Sequence, residues 1–261
     1  MFRLPCYRYG AGPIPVVFLH GYCEGRWVWQ DCLPDPGERF TFLAYDLPGF
    51  GEAPLLPDPV TIQSVADVVL ENIRSVSVEP PVVIGHSMGG YVALALAAAG
   101  PAAVAGLGLI HSTTQADSEE KKLNRDKVAR SVLASGARPF LETFADGLFA
   151  DPNSPACRVF RSNSASTSAL SIAAYAHAMR DRQDRTAMWS GLQLPLLLVA
   201  GKYDRLTTPE MMQTIAACNM SAQFHILEHS GHAGMLEEPR QTSEILDAFL
   251  TQIPWEEPHK L

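Results

Sequence analysis

The chain has 261 residues, 47% of them hydrophobic and 18% charged, which describes a globular protein with room for one large α/β domain and excludes a disordered chain. Its formal net charge is −8 and no Lys/Arg cluster occurs, so neither nucleic acid nor an anionic membrane surface is expected as a partner. The five cysteines (Cys6, Cys23, Cys32, Cys157 and Cys218) are scattered and contain no CxxC, and the N-terminal MFRLPCYRYGAGP lacks an apolar signal-peptide core; reduced thiols in the cytoplasm are the expectation.

In chain order, residues 2–9 alternate weakly and contain Pro5, which fits an edge strand. Apolar, β-branched runs predict buried strands over 16–19, 42–46, 82–85, 107–110, 196–200 and 223–227. Helical segments fall between them over 61–76, 87–99, 209–217 and 240–252, with Thr208 as N-cap and Pro209 in the first turn of the third. Residues 91–110 are twenty residues without a charge, but Gly100-Pro101, Gly106 and Gly108 divide them into helix, turn and strand, so no membrane span is expected. Strand and helix alternating in this way predict an α/β fold: a mostly parallel sheet with helices on both faces.

The rhythm breaks over 112–190, where no buried parallel strand is readable. Helix-like pieces lie at 118–133, 139–149 and 168–180, and Phe140, Phe144 and Leu148 form one apolar stripe at four-residue spacing. A structureless loop of that length is improbable in a compact domain, so a helical insertion is expected. The chain therefore divides into a core of 1–111 and 191–261 and a helical lid of 112–190.

The segment VVIGHSMGGYVALALAAAG places Ser87 on a very short turn from a buried strand into an Ala/Leu-rich helix. Gly85 and Gly89 flank it, leaving room for a sharp elbow that projects the hydroxyl from the sheet. A serine hydroxyl needs an imidazole to take its proton and a carboxylate to fix that imidazole's tautomer. Both should lie just after strands, at the carboxyl edge of the sheet. Of eight histidines, His229 and His232 lie in the loop after the last strand, EHSGHAGMLEEP, and His232, deeper in it, is preferred as base. His111 directly follows a strand and is a weaker rival. The pair at 229 and 232 has no third ligand cluster, so no metal is expected. Asp204 follows the strand at 196–200 and is preferred as acid, although an Asx turn would also suit it; Asp46 precedes a sharp turn and reads as structural. The order Ser87, Asp204, His232 suits nucleophile, acid and base on an open sheet. The main-chain amide of Met88 opens the helix after the elbow, and that of Tyr22 lies in the glycine-containing HGYCEG after the first buried strand; these two are the candidate oxyanion donors.

Taken together, FLHGY, YDLPGFG, GHSMGG, GKYDRLTTP and SGHAGMLEEP resemble the α/β-hydrolase superfamily, in its lidded, esterase-like branch, over about 16–250. The resemblance implies Ser87 as nucleophile, His232 as base, Asp204 as acid, Tyr22 and Met88 as oxyanion donors, and no cofactor. Two departures stand out: the first strands are abbreviated, and Glu52-Ala53-Pro54 follow PGFG where a serine is usual. The expected activity is hydrolysis of a small-molecule acyl ester or thioester, with His86, Phe140 and Phe144 as candidate substrate contacts. Alternatives within the superfamily are a C–C bond hydrolase, a cofactor-free perhydrolase, and a lyase of the menaquinone-pathway type. The lyase would need pocket-facing arginines, for which Arg125, Arg180 and Arg182 are candidates. A ligand-binding module without catalysis is the reading from another class.

Overall fold

The computed structural model describes residues 2–100 and 102–254; His259, one of the eight histidines, lies outside them. The chain runs β1 (Cys6–Gly10), β2 (Ile14–Leu19), a 3-10 turn (Arg26–Trp29), β3 (Phe40–Tyr45), α1 (Ile62–Arg74), β4 (Val82–His86), α2 (Met88–Ala97) and β5 (Gly106–Ile110). Five helices follow, α3 (Glu119–Ser135), α4 (Arg138–Leu148), α5 (Pro155–Ser164), α6 (Ala169–Arg180) and α7 (Thr186–Gly191). Then come β6 (Leu196–Gly201), α8 (Pro209–Ala217), β7 (Ala222–Leu227), α9 (Gly234–Glu237) and α10 (Pro239–Leu250).

The seven strands form one sheet in the order β1-β3-β2-β4-β5-β6-β7, flanked by helices. Only β1 is antiparallel to its neighbour. β2, β4, β5 and β6 are buried along their whole length, which is why they read as unbroken apolar runs rather than alternating ones. All ten residues of α2 are buried, so that helix has no polar face to show in the sequence. α1 opens with a capping box in which Thr61 accepts from Ser64 N–H and the Ser64 hydroxyl takes the Thr61 amide. β1 starts at Cys6 rather than at residue 2, because Asn72 of α1 holds the segment before it. The Asn72 amide accepts from Leu4 N–H at 3.0 Å and donates to Phe2 O at 2.7 Å.

β2 sits between β3 and β4, so the winding direction of the chain reverses there. The crevice at the carboxyl ends of β2 and β4 is the place where an open α/β sheet takes ligands. Of the five helices between β5 and β6, α4 and α6 pack over that end. Two buried tyrosines pin α6 there: Tyr22 donates to Ile172 O at 2.5 Å and Tyr175 to Pro48 O at 2.7 Å. α7 is too short to show a period in the sequence; α5 is marked by its Ser154 cap, by Pro155 and by Cys157, Phe160 and Ser164 on one buried face.

Candidate active site

Ser87 follows β4 at φ 48° and ψ −113°, outside the ordinary backbone regions for a side-chain-bearing residue. Strain of this kind costs about 1–3 kcal/mol. A single fully buried Val, Ile or Leu contributes about 1.5–3 kcal/mol, so the packed strand on one side and helix on the other offset it. The elbow is also tied down: Ser87 N–H donates to Ile110 O at 2.9 Å, and the Ser112 hydroxyl donates to Ser87 O at 2.7 Å. The flanking glycines are required by space. A Cβ at Gly85 would stand 2.4 Å from Gly89 O, and one at Gly89 would stand 2.2 Å from Leu19 O. The first turn of α2 is thereby pressed against the end of β2.

Three side chains far apart in the chain meet above this edge. His232 Nε2 lies 2.8 Å from Ser87 Oγ, and His232 Nδ1 lies 2.8 Å from Asp204 Oδ2. The carboxylate can only accept, so Nδ1 carries the proton and Nε2 is free to take the serine's. Asp204 also makes the Asx turn: its Oδ1 accepts from Leu206 N–H at 2.8 Å and Thr207 N–H at 3.0 Å. The Thr207 hydroxyl donates to Oδ2 at 2.7 Å. Burial alone would push the Asp204 carboxyl up; the adjoining His232 and hydrogen bonds from His111 and His232 outweigh it and hold it far below the usual range. The base loop is fastened as well, with His232 N–H donating to Leu148 O at the end of α4 and Gly231 N–H to Glu237. His229 lies exposed, with its main-chain amide on Glu238.

His111 stands on the other side of the acid. Gly234 N–H donates to its Nε2 at 3.1 Å, so Nδ1 bears the proton and faces Asp204 Oδ2 at 3.2 Å. His111, Asp204 and His232 offer ligand atoms within 4.8 Å of one another. Those atoms are matched donor to acceptor, however, which describes a hydrogen-bonded array and not a ligand set. Burial pushes His111 down to about 4. A histidine kept neutral on folding contributes stability above its ordinary value of 6.5 and loses it as pH falls toward 4. The stability difference between the parent and His111→Gln should therefore shrink by roughly 3 kcal/mol across that window, read from urea unfolding. A difference that stays constant with pH would contradict this.

The loop after β2 is braced from within. Leu47 N–H donates to His20 Nε2 at 2.9 Å, so His20 donates from Nδ1 to Gly21 O at 2.8 Å. The peptide is planar and trans, and holding its carbonyl on one side aims the Tyr22 N–H to the other. Neither that amide nor the amide of Met88 has an acceptor among the described residues. Above them, Phe140 and Phe144 of α4 stack at 5.2 Å between centroids and pack edge-on against Tyr22 at 6.0 and 5.7 Å.

His86 departs from its expected part as a substrate contact. It is buried, its Nδ1 lies 2.9 Å from Glu24 Oε2 and its Nε2 lies 2.8 Å from His232 O, which leaves neither ring nitrogen for a ligand. The arginines weighed for a carboxylate pocket are likewise committed. Arg125 and Arg182 pair with Asp117, Arg180 pairs with Asp126 and Asp181, and Arg182 also lies over the Tyr91 ring. Asp46 is structural, accepting from Arg26 N–H and Glu52 N–H. Glu24 and Thr207 are the residues at this site that sequence reasoning missed. Their signals were an acid four residues past His20 and a hydroxyl three past Asp204, neither distinctive without burial. Among the described residues no helix is long and apolar enough to cross a membrane.

Comparison with known proteins agrees with the fold. A family model described as the alpha/beta hydrolase family matches residues 16–245. A pimeloyl-[acyl-carrier protein] methyl ester esterase of Methylococcus capsulatus is 27% identical over 92% of this chain and 96% of its own length. An esterase of Mycobacterium tuberculosis, Rv0045c, is 27% identical over 93% of this chain and 85% of its own. Among solved structures, a malate-bound thermophilic esterase from Thermogutta terrifontis superposes with a TM-score of 0.89 at 30% identity, covering 96% of this chain and 93% of that one. With the sheet order, the elbow and a match over most of its length, the chain belongs to the alpha/beta hydrolase family.

Proposed function

We propose that this chain is a serine hydrolase that cleaves carboxylic esters through a covalent acyl-enzyme. One observation carries the reading: Ser87 Oγ, His232 and Asp204 form a continuous hydrogen-bonded line, 2.8 Å at each step, at the ligand-binding edge of the sheet. Ser87 Oγ attacks the ester carbonyl carbon while its proton passes to His232 Nε2. Asp204 stays ionised and stabilises the imidazolium through the Nδ1–H bond. Charge on the carbonyl oxygen is received by the amides of Tyr22 and Met88, the latter with the dipole of α2 behind it. The intermediate collapses, the C–O bond to the alcohol breaks, and His232 returns the proton to that oxygen. Water then repeats the sequence on the acyl-serine, giving the acid and free Ser87.

The helices α3–α7 act as a lid, and Phe140 and Phe144 line an apolar acyl site beside Tyr22. The relatives are named as ester hydrolases, which supports small to medium acyl esters, with thioesters as a second leaving group the same chemistry accepts. Carboxylate recognition by Arg125, Arg180 or Arg182, which a lyase reading requires, finds those guanidiniums already paired. A series of p-nitrophenyl esters tests the proposal: turnover with an optimum at short to medium chain length is expected. No turnover of any member by folded protein would overturn it.

A further inference from the structure

Glu24 and His86 are ionisable, buried and idle in the proton transfers above, yet they span the site. Glu24 Oε2 accepts from Gly21 N–H at 2.7 Å and lies 2.9 Å from His86 Nδ1. His86 Nε2 lies 2.8 Å from His232 O. A carbonyl only accepts, so Nε2 bears a proton and donates to the main chain of the base. The two loops that face Ser87, one carrying Tyr22 N–H and the other His232, are thus joined by two side chains and three hydrogen bonds. The fit is close: a Cβ on Gly21 would stand 2.7 Å from His86 Nδ1.

We propose that Glu24 and His86 are a positioning pair that fixes the oxyanion loop and the base loop relative to each other around Ser87. The inference rests on the roles assigned to Ser87 and His232 above. The pair sits as carboxylate and imidazolium. Burial would discharge His86, but Glu24 beside it raises it above its ordinary value, with the His232 carbonyl and the more distant Asp204 charge helping. Burial would raise Glu24, but His86, His20 and the Gly21 amide bring it below its own. The other titratable groups around this ring among the described residues are His20 and His111, both lowered by burial, and the His232 ring, 5.2 Å away between centroids. By linkage the contribution of a raised histidine is present below its ordinary value and is lost as pH rises through the raised one.

Glu24→Gln separates positioning from mere packing. One atom, Oε2, serves both Gly21 N–H and His86 Nδ1, and an amide cannot do both jobs in the same way. With oxygen there, neutral His86 keeps its proton on Nδ1 and loses the Nε2–H bond to His232. With nitrogen there, it meets Gly21 N–H donor to donor. The variant should lose about 10- to 100-fold in kcat with KM changed by less than about twofold. A folded variant with unchanged kcat, or one whose whole defect lies in KM, would overturn the proposal. The parent protein gives a second test that needs neither the variant nor a substrate. In 15N-histidine NMR the His86 ring should show two N–H groups near neutral pH, and the His232 Nδ1–H resonance should move with the same midpoint as His86 loses a proton on the alkaline side. A His232 resonance indifferent to that step would overturn it too. If the parent hydrolyses no ester, the assigned function fails while the NMR result still decides the pair; if it does and both readouts stay flat, only the pair fails.

Discussion

Ser87→Ala should abolish ester turnover almost completely, by about 10⁴- to 10⁶-fold in kcat, with the fold intact. The hydroxyl oxygen is the one heavy atom the substitution removes, and among the described residues its single partner is His232 Nε2 at 2.8 Å. Its main chain is held by Ile110 O and the Ser112 hydroxyl, contacts that alanine retains. The strained φ of 48° disfavours serine and alanine to a similar degree, so the substitution adds little strain and relieves little. The residual rate belongs to the oxyanion donors and to binding. Circular dichroism unchanged beside lost p-nitrophenyl ester hydrolysis is the expected pair of results; retained turnover would remove Ser87 from the mechanism.

Asp204→Asn should lower kcat by about 10⁴-fold. The asparagine side chain keeps the Asx turn, since Leu206 and Thr207 amides still find an oxygen. What changes is Oδ2, which in the parent accepts from His232 Nδ1–H, from the Thr207 hydroxyl and from His111 Nδ1–H. An NH₂ group there would face donors, so it would turn His232 to the tautomer with its proton on Nε2, opposite Ser87 Oγ, where it cannot act as base. The same substitution also removes the charge that stabilises the imidazolium. A pH-rate profile of the variant alongside the parent measures this, and near-parental kcat would send the search for the acid elsewhere.

The parts of the fold that were legible in the sequence are those with one strong physical signal. β2, β4 and β6 are buried on both faces and so appear as unbroken apolar runs, and α8 announces itself through Thr208 and Pro209. The family pattern in FLHGY and GHSMGG reflects close backbone packing, such as Gly89 against Leu19 O, which permits no side chain. β1 starts later than the alternation over 2–9 suggests because Asn72, a partner from another element, holds Phe2 and Leu4. The short α7 and α9 lack the length for any period.

The same division runs through the site. Ser87 sits in a glycine-flanked turn after β4, and Asp204 and His232 lie in the loops after β6 and β7, so motif, position and chain order together point to them, and the structure brings them within hydrogen-bond distance. Glu24 and His111 matter because of what they face across the fold, which local spacing does not encode, and Thr207 serves Asp204 three residues before it through a hydroxyl that is not distinctive without burial. His86 misled for a related reason. Its place beside Ser87 suggested a substrate contact, while both its ring nitrogens turn inward to Glu24 and to the main chain of His232.

The central claim is that Ser87 itself takes the acyl group. Rapid acid quench during turnover of p-nitrophenyl butyrate, followed by intact-mass measurement and peptide mapping, tests it most directly. A butyryl increment on the peptide carrying Ser87, absent from Ser87→Ala, is the predicted result. Turnover with no acylated protein, under conditions that trap the intermediate of a control serine esterase, or an acyl group on another residue, would contradict it.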